Sequence, residues 1–156
     1  MVNNGNLTND RVLREELSNG GAIFQSTYDT EVILQLAARS KKSKAVNRLI
    51  AALSQVQGAF ALVAMTNDKL IGARDPLGIR PLVMGKLDEA VIFASETCAL
   101  DMIGAEFVRE VEPGEVVIVS DDGIESKKFG PDVPARPCAF EYIYFARPDS
   151  IIDGIS

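Results

Sequence analysis

Residues 58–95 read GAFALVAMTNDKLIGARDPLGIRPLVMGKLDEAVIFAS, and this stretch decides the fold. Apolar runs of strand length alternate in it with turn-forming residues such as Asn67-Asp68. Because the connections are short, we expect neighbouring runs to pair as one antiparallel meander. The predicted buried strands are GAFALVAMT, KLIGARD, PLVMG and AVIFAS.

Before residue 58 the apolar residues follow helical spacing in three segments. The predicted helices cover residues 10–19, a segment that begins near Asp29, and a segment with apolar positions Val46, Leu49, Ile50 and Leu53. Thr8-Asn9 are good capping residues for the first helix, and Gly20-Gly21 end it. The compact run Ala22 to Thr27 is interpreted as a strand.

After residue 95 we predict a helical turn around Thr97 to Ile103, and then the strands FVREVEP and EVVIVSDDGIESKKF with a hairpin turn at Asp122-Gly123. Early helices and late strands favour an α+β fold, with helices layered on an antiparallel sheet, over alternating βαβ units. Residues 130–137 predict a linker because PDVPARP can hardly continue a helix or a central strand. The aromatic-rich residues 138–156 are interpreted as the start of a further segment.

Composition excludes several chemistries. The chain has no histidine, so a Ser-His-Asp triad, a Cys-His dyad and an HExxH zinc site are impossible. Its two cysteines, Cys98 and Cys138, cannot form a structural zinc site by themselves, and a reduced, cytoplasmic chain is expected. A net charge of −6 argues against nucleic-acid binding, and the apolar runs are too short for a membrane span.

Two polar clusters each allow two interpretations. Asn4-Gly5 is typical of a turn, but an Asn amide and a glycine N–H can also stabilise the oxyanion of an acyl-transfer reaction. Asp29 is suited to cap the second helix, but a carboxylate at a helix start can also bind the ammonium group of an amino-acid substrate. Composition does not choose between these alternatives.

The string ARDPLGIRPL, residues 73–82, is the most distinctive of the chain. We expect Arg74, Asp75 and Arg80 to form an ion-pair and hydrogen-bond network that fixes a long loop. A phosphate-binding loop is a weaker alternative because the GxxxxGK spacing is missing.

With these strings the chain resembles the amidophosphoribosyltransferase family, glutamine-dependent enzymes that begin purine synthesis. The resemblance covers essentially the whole chain. RDPLGIRPL occurs in looser form across the class II glutamine amidotransferases, whereas FEYIYFARPDS is much more specific to this family. The matching strings, in order, are NGNLTN, DTEV, ARDPLGIRPLVMG, FASETCALDMIGAEFVREVEPGE and CAFEYIYFARPDSIIDG.

The resemblance implies a class II glutamine amidotransferase domain, an N-terminal-nucleophile hydrolase with a four-layer αββα sandwich. Residues 1–129 would be its C-terminal portion, residues 130–137 a linker, and residues 138–156 the start of the connection to a phosphoribosyltransferase domain. In the family, the α-amino group of a terminal cysteine acts as the base, which suits a histidine-free chain. Ammonia from glutamine then converts phosphoribosyl pyrophosphate to 5-phosphoribosylamine.

Carried over to this sequence, Asn4 and Gly5 match the oxyanion-hole pair and Asp29 matches the carboxylate that binds the glutamine α-amino group. Asn3 stands where many relatives have histidine. Cys98 matches a buried family cysteine, and Cys138 matches a position that ligates a 4Fe-4S cluster in some members. For the parent enzyme, the resemblance also implies Mg²⁺ with phosphoribosyl pyrophosphate and a homo-oligomer.

The chain departs from the family pattern at its start, because Met1-Val2 provides no cysteine nucleophile. We therefore expect a partial chain that is inactive alone. Two alternatives remain open at this point: a non-catalytic assembly module with a truncated amidotransferase fold, and another class II amidotransferase such as an asparagine or glucosamine-phosphate synthase.

Overall fold

The computed structural model describes residues 1–131, 133–151 and 154. Its strands are β1 (Val2–Leu7), β2 (Gly58–Met65), β3 (Leu70–Arg74), β4 (Val83–Leu87), β5 (Ala90–Ala94), β6 (Glu106–Glu110), β7 (Glu115–Ser120) and β8 (Gly123–Lys128). Its α-helices are α1 (Asp10–Asn19), α2 (Thr30–Arg39), α3 (Ala45–Leu53) and α4 (Thr97–Ile103), and a π-helical turn covers Glu141–Phe145. No helix of this described part is long and apolar enough to cross a membrane.

The strands form two sheets in which every pairing is antiparallel. The first sheet has the order β1-β2-β3-β7-β8 and the second the order β5-β4-β6. The prediction of one continuous meander was wrong, because the loop after β3 carries the chain from the first sheet to the second. Pro76 and Pro81 lie in this loop, and neither has an N–H group with which to extend a ladder.

Three apolar clusters separate four layers of structure. The largest lies between helices α1–α3 and the first sheet, and includes Ile33, Leu49 and Leu62. A second cluster, with Leu82 and Val117, fills the space between the two sheets. The third is formed by Val83, Leu100 and Ala105, residues of β4, of α4 and of the segment directly after α4. This order of layers, helix-sheet-sheet-helix, confirms the predicted α+β class and the αββα sandwich.

The run Ala22 to Thr27, predicted as a strand, forms no strand. Side chains of the flanking helices satisfy its backbone instead. The guanidinium of Arg14 on α1 donates to Ser26 O at 2.9 Å, and the carboxylate of Glu31 on α2 accepts the Gln25 and Ser26 N–H groups at 2.8 Å. A segment fixed in this way needs no partner strand, and apolar content alone did not reveal it.

Glu115, at the start of β7, is a buried carboxylate with several donors. It accepts hydrogen bonds from Arg109 at 2.7 and 2.8 Å, from Glu112 N at 2.7 Å, and from the Ser126 hydroxyl. Burial opposes ionisation, but these hydrogen bonds outweigh it and lower the pKa of Glu115 to about 2. The carboxylate thereby joins β7 to β8 and to the segment after β6.

Glu115 is expected to make the stability of the chain pH-dependent. The pKa of Glu115 is lower in the folded state than its unfolded-state value of 4.5, so the ionised carboxylate stabilises the fold at pH values above 4.5. This stabilisation is lost as the pH falls from about 5 to 2. The shift corresponds to about 3 kcal/mol, and we expect about 2 kcal/mol because solvent screens the partly exposed Arg109. In urea titrations, the stability difference between the wild type and Glu115→Gln should shrink by this amount between pH 6 and pH 2.

The matched control is Glu125→Gln on β8, since the Glu125 side chain is largely exposed. Its stability difference from the wild type should change little over the same range. A Glu115→Gln difference that stays constant with pH would show that the carboxylate is not ionised and paired as described.

Candidate functional site

Asn4 and Gly5 lie in an extended strand, not in a turn. They sit in β1 opposite Ala61 and Phe60 of β2, so the turn interpretation of this pair was wrong. Strand β1 is an edge strand of the first sheet, and its outer edge carries no strand partner among residues 1–131, 133–151 and 154. The Asn4 side chain is exposed on the face it shares with Ala61, which leaves its amide accessible to a ligand.

Gly5 is required by a close approach of two backbones. A Cβ atom at this position would lie 2.0 Å from the carbonyl oxygen of Ala59 and 2.8 Å from the Cα of Phe60. Neither atom can move without displacing β2. The glycine therefore lets β1 press against β2, and it leaves the backbone around Gly5 free of side-chain cover.

Asp29 connects the start of α2 to the end of β1. Its Oδ2 accepts the Leu7 N–H at 2.8 Å, and from the residues that the structure describes its Oδ1 receives only a long 3.4 Å hydrogen bond, from the Thr30 hydroxyl. The carboxylate forms no capping bond to the first turn of α2, so the capping interpretation was wrong. Leu7 follows Gly5 by two residues, about 7 Å along a strand. The structure thus brings Asn4, Gly5 and Asp29 into one region.

A groove of about 650 Å³ lies between β1 and α2, and its lining includes neighbours in sequence of Asn4 and Asp29 but not Asn4, Gly5 or Asp29 themselves. It is lined by Met1, Val2 and Asn3 of the first strand region and by Gln25, Ser26, Tyr28, Thr30, Glu31 and Leu34 of α2 and the segment before it. The Oδ1 atom of Asn3 is buried and has no hydrogen-bond partner within the described part of the chain. Since Asn3 is paired with Leu62 and Asn4 with Ala61, their side chains point to opposite faces of β1, and this acceptor lies on the helix side of the sheet.

Arg14 and Glu31 shape this groove and were not predicted from the sequence. Arg14 donates to Tyr28 O at 2.8 Å, directly before Asp29. Hydrogen bonds from the Ser26 hydroxyl and from the backbone N–H of Gln25 lower the pKa of Glu31, so the carboxylate is ionised and occupied in holding the segment before α2. The only available signal was an acidic residue in the first turn of a predicted helix, which is ordinary.

Asp75 is fully buried and organises the loop after β3. Its carboxylate accepts backbone N–H groups from both sides of that loop. These donors are Phe60 at 3.3 Å, Leu77 at 3.0 Å, Ile79 at 3.1 Å and Arg80 at 3.4 Å. A single carboxylate therefore holds β2 and the loop together.

Arg74, which is also buried, holds the loop from a second direction. Its guanidinium donates to Arg80 O at 2.8 Å, to Gly78 O at 3.1 Å and to Val111 O at 3.1 Å. Gly78 adopts φ +62°, and a Cβ there would lie 2.7 Å from the Pro113 ring. These bonds hold the loop in one conformation, and Gly78 supplies the positive φ and the close approach to Pro113 that the loop requires.

The two cysteines lie apart from Asn4 and Gly5 in sequence and structure. Cys98 is buried on α4, and Cys138 donates its backbone N–H to Ile79 O at 3.4 Å. Within the described ranges, no group of three or more His, Cys, Asp or Glu side chains could hold a metal ion. The assignment of Cys138 to a cluster thus stays a prediction, as do the roles of Asn4, Gly5 and Asp29.

The sequence is similar to proteins of known function. Residues 1–102 match the family described as glutamine amidotransferase domain. The amidophosphoribosyltransferase of Rhizobium etli is 54% identical over 99% of this chain and 32% of its own length, and that of Bacillus subtilis is 46% identical over 100% of this chain and 33% of its own length.

A solved structure agrees with these matches. Glutamine phosphoribosylpyrophosphate amidotransferase from B. subtilis, complexed with ADP and GMP, superimposes with a TM-score of 0.97 over 99% of this chain and 34% of its own, at 46% identity. The chain spans about a third of the length of the relatives it matches. The family match covers well over half of the residues, and the chain belongs to the glutamine amidotransferase domain family.

Proposed function

We propose that this chain forms part of the glutamine site of an amidophosphoribosyltransferase. Such an enzyme hydrolyses glutamine and uses the ammonia to convert phosphoribosyl pyrophosphate to 5-phosphoribosylamine, the first step of de novo purine (IMP) biosynthesis. The observation that carries the proposal is that Asn4, Gly5 and Asp29 lie together at one edge of the first sheet. The hydrogen bond from the Leu7 N–H to the Asp29 carboxylate links β1, which carries Asn4 and Gly5, to Asp29. The amidophosphoribosyltransferase relatives support it.

In the proposed reaction a cysteine thiolate attacks the amide carbon of glutamine, ammonia leaves, and water releases glutamate from the thioester. The Asn4 amide and the Gly5 N–H would donate to the oxyanion that forms in each tetrahedral intermediate. Because β1 is paired with β2 along its length, these donors need little reorganisation during the reaction. The Oδ1 of Asp29, which has one long hydrogen bond within the described part of the chain, would accept from the substrate's ammonium group.

Neither Cys98 nor Cys138 is placed to act as the nucleophile. Cys98 is buried on α4 between Glu96 and the core, and Cys138 follows the predicted linker. A 4Fe-4S cluster takes four thiolates, and the chain has two cysteines, so its residues do not suffice for a cluster. Mg²⁺ with phosphoribosyl pyrophosphate, a homo-oligomer and a cytoplasmic location are proposed for the whole enzyme only.

The isolated chain is expected to show no glutaminase activity above background, because the attacking thiolate is not part of the site described. A coupled assay for glutamate, run with and without the chain, measures this. Glutamate release that disappears in Asp29→Ala would contradict the expectation, since it would show a complete glutaminase in these residues.

A graft tests the proposed function itself. This chain would replace the matched third of the B. subtilis amidophosphoribosyltransferase, and the graft should form phosphoribosylamine with glutamine as the nitrogen donor. Use of free ammonia by the graft reports that the rest of the enzyme is folded. A graft that uses ammonia but not glutamine would contradict the proposal and favour the non-catalytic assembly module.

A further inference from the structure

Residues 136–151, here called the strap, lie against the loop after β3. The Arg136 N–H donates to Leu77 O at 2.7 Å and the Cys138 N–H donates to Ile79 O at 3.4 Å. Alternate residues of the strap thus bond to alternate residues of the loop, as neighbouring strands would. The strap is docked along the glutamine amidotransferase fold by its own backbone.

An ion pair fixes the first part of the strap. The guanidinium of Arg80 pairs with the carboxylate of Glu141, which is 5% exposed, and lies 5.1 Å from the centre of the Phe145 ring. A buried carboxylate that loses its cation is strongly destabilised. Arg80 therefore holds the π-helical turn 141–145 to the loop.

A second, separate anchor holds the end of the strap. The Oε2 of Glu96, directly before α4, accepts the Arg147 N–H and the Ser150 hydroxyl, both at 2.9 Å. The Thr97 hydroxyl accepts the Ile151 N–H at 2.9 Å. Since these contacts involve the second sheet's helix, they can be removed without touching Arg80.

The loop beneath the strap is bonded on its other side to β2. Asp75 accepts the N–H groups of Ile79 and Arg80, and the same carboxylate accepts the Phe60 N–H, while the Asp75 N–H donates to Phe60 O at 2.9 Å. Phe60 is the partner of Gly5 in the β1–β2 ladder. Few bonds therefore separate Arg80 from the strand that carries Asn4.

We propose that Arg80 and Asp75 are positioning residues. They couple the docking of the strap on the loop after β3 to the position of the β1–β2 backbone around Gly5. When Glu141 is paired with Arg80, the loop is held against Asp75, and Asp75 holds Phe60 in register with Gly5. When the pair is broken, the loop amides exchange between bonded and free states and Phe60 loses part of its support. The inference rests on the proposed function only in treating Asn4 and Gly5 as part of a substrate site.

The test is amide hydrogen exchange, resolved by residue, on the full chain with Glu141→Gln. We expect the Arg136 and Cys138 amides to exchange at least ten times faster than in the wild type, and the Phe60 amide several times faster, while the β7 and β8 amides keep their rates. Glu125→Gln, which removes an exposed charge of β8, is the matched control and should change neither set.

Two further variants test the second anchor separately and cover the case in which Glu141→Gln does not fold. Glu96→Gln should accelerate exchange at 147–151 and leave Phe60 unchanged, because it releases only the second anchor. If Glu141→Gln fails to fold, Arg80→Lys, which keeps the charge but removes the guanidinium that lies 5.1 Å from the centre of the Phe145 ring, should show the same pattern more weakly. An unchanged Phe60 amide, or equal acceleration at every amide, overturns the proposal. These rates need no glutamine turnover, so this test and the graft can fail independently.

Discussion

Asp75→Ala is expected to lower the free energy of unfolding by about 3 kcal/mol. Four backbone N–H groups share this carboxylate as their acceptor, and the Phe60 donor is buried while the other three are part-buried. A buried donor left without a partner costs about 1–3 kcal/mol, and a part-buried donor costs less because water can reach it. Domains of this size are stable by about 5–15 kcal/mol, so the variant should stay folded but lose a large share of its stability. Urea titration followed by circular dichroism measures the change as a shift of the midpoint.

Two further substitutions serve as comparisons for Asp75→Ala. Asp75→Asn keeps one acceptor oxygen and should cost less than the alanine variant, because part of the amide set stays bonded. Asp68→Ala, at the exposed turn between β2 and β3, removes the same charge from the surface and should change stability by less than about 1 kcal/mol. A midpoint for Asp75→Ala close to that of Asp68→Ala would contradict the assigned role of the carboxylate.

Asn4→Ala, introduced into the graft, is expected to lower the glutamine-dependent kcat about a hundredfold or more. The Asn4 amide would donate to charge that develops only in the transition state, and loss of one such donor has this typical cost. Since Asn4 is exposed on an edge strand, the fold should survive the change. Steady-state kinetics with glutamine as the varied substrate separates kcat from KM, and an effect confined to KM would contradict the role.

Asn6→Ala is the matched control. Asn6 lies two residues further along β1 and is exposed on the same face, and its substitution removes the same type of side chain as Asn4→Ala. Its variant should keep kcat within a few fold of the unmodified graft. Gly5→Ala is a poorer probe, because the added Cβ would collide with the Ala59 carbonyl and disturb β1 whether or not Gly5 has a chemical role.

Local features of the fold could be predicted from the sequence. The bounds of α1 match the helix predicted from apolar spacing and from the glycines at its end, and α4 coincides with the predicted helical turn around Thr97 to Ile103. The predicted hairpin between β7 and β8 is present, but it turns at Asp121-Asp122, one residue earlier than predicted, and Gly123 is the first residue of β8. These features depend on neighbours within a few residues, and such neighbours are visible in a sequence pattern. The layer order followed from the family resemblance.

Features that depend on distant contacts were not predictable. Asn4-Gly5 has turn character, yet it forms a strand because β2, more than fifty residues later, supplies the ladder. Asp29 stands where a cap is expected, yet its carboxylate bonds to Leu7 because α2 begins beside the end of β1. No local pattern records which distant backbone amide lies within reach of a side chain.

Under the proposed function, Asn4 and its neighbours act in glutamine hydrolysis and not in the step that consumes ammonia. The most direct measurement is the ratio of phosphoribosylamine formation with glutamine to that with free ammonia, in the graft and in its Asn4→Ala and Asn6→Ala variants. We predict that Asn4→Ala lowers this ratio about a hundredfold while the ammonia rate and the Asn6→Ala ratio stay near the graft's values. An unchanged ratio in Asn4→Ala, with both rates intact or both reduced equally, would contradict the claim.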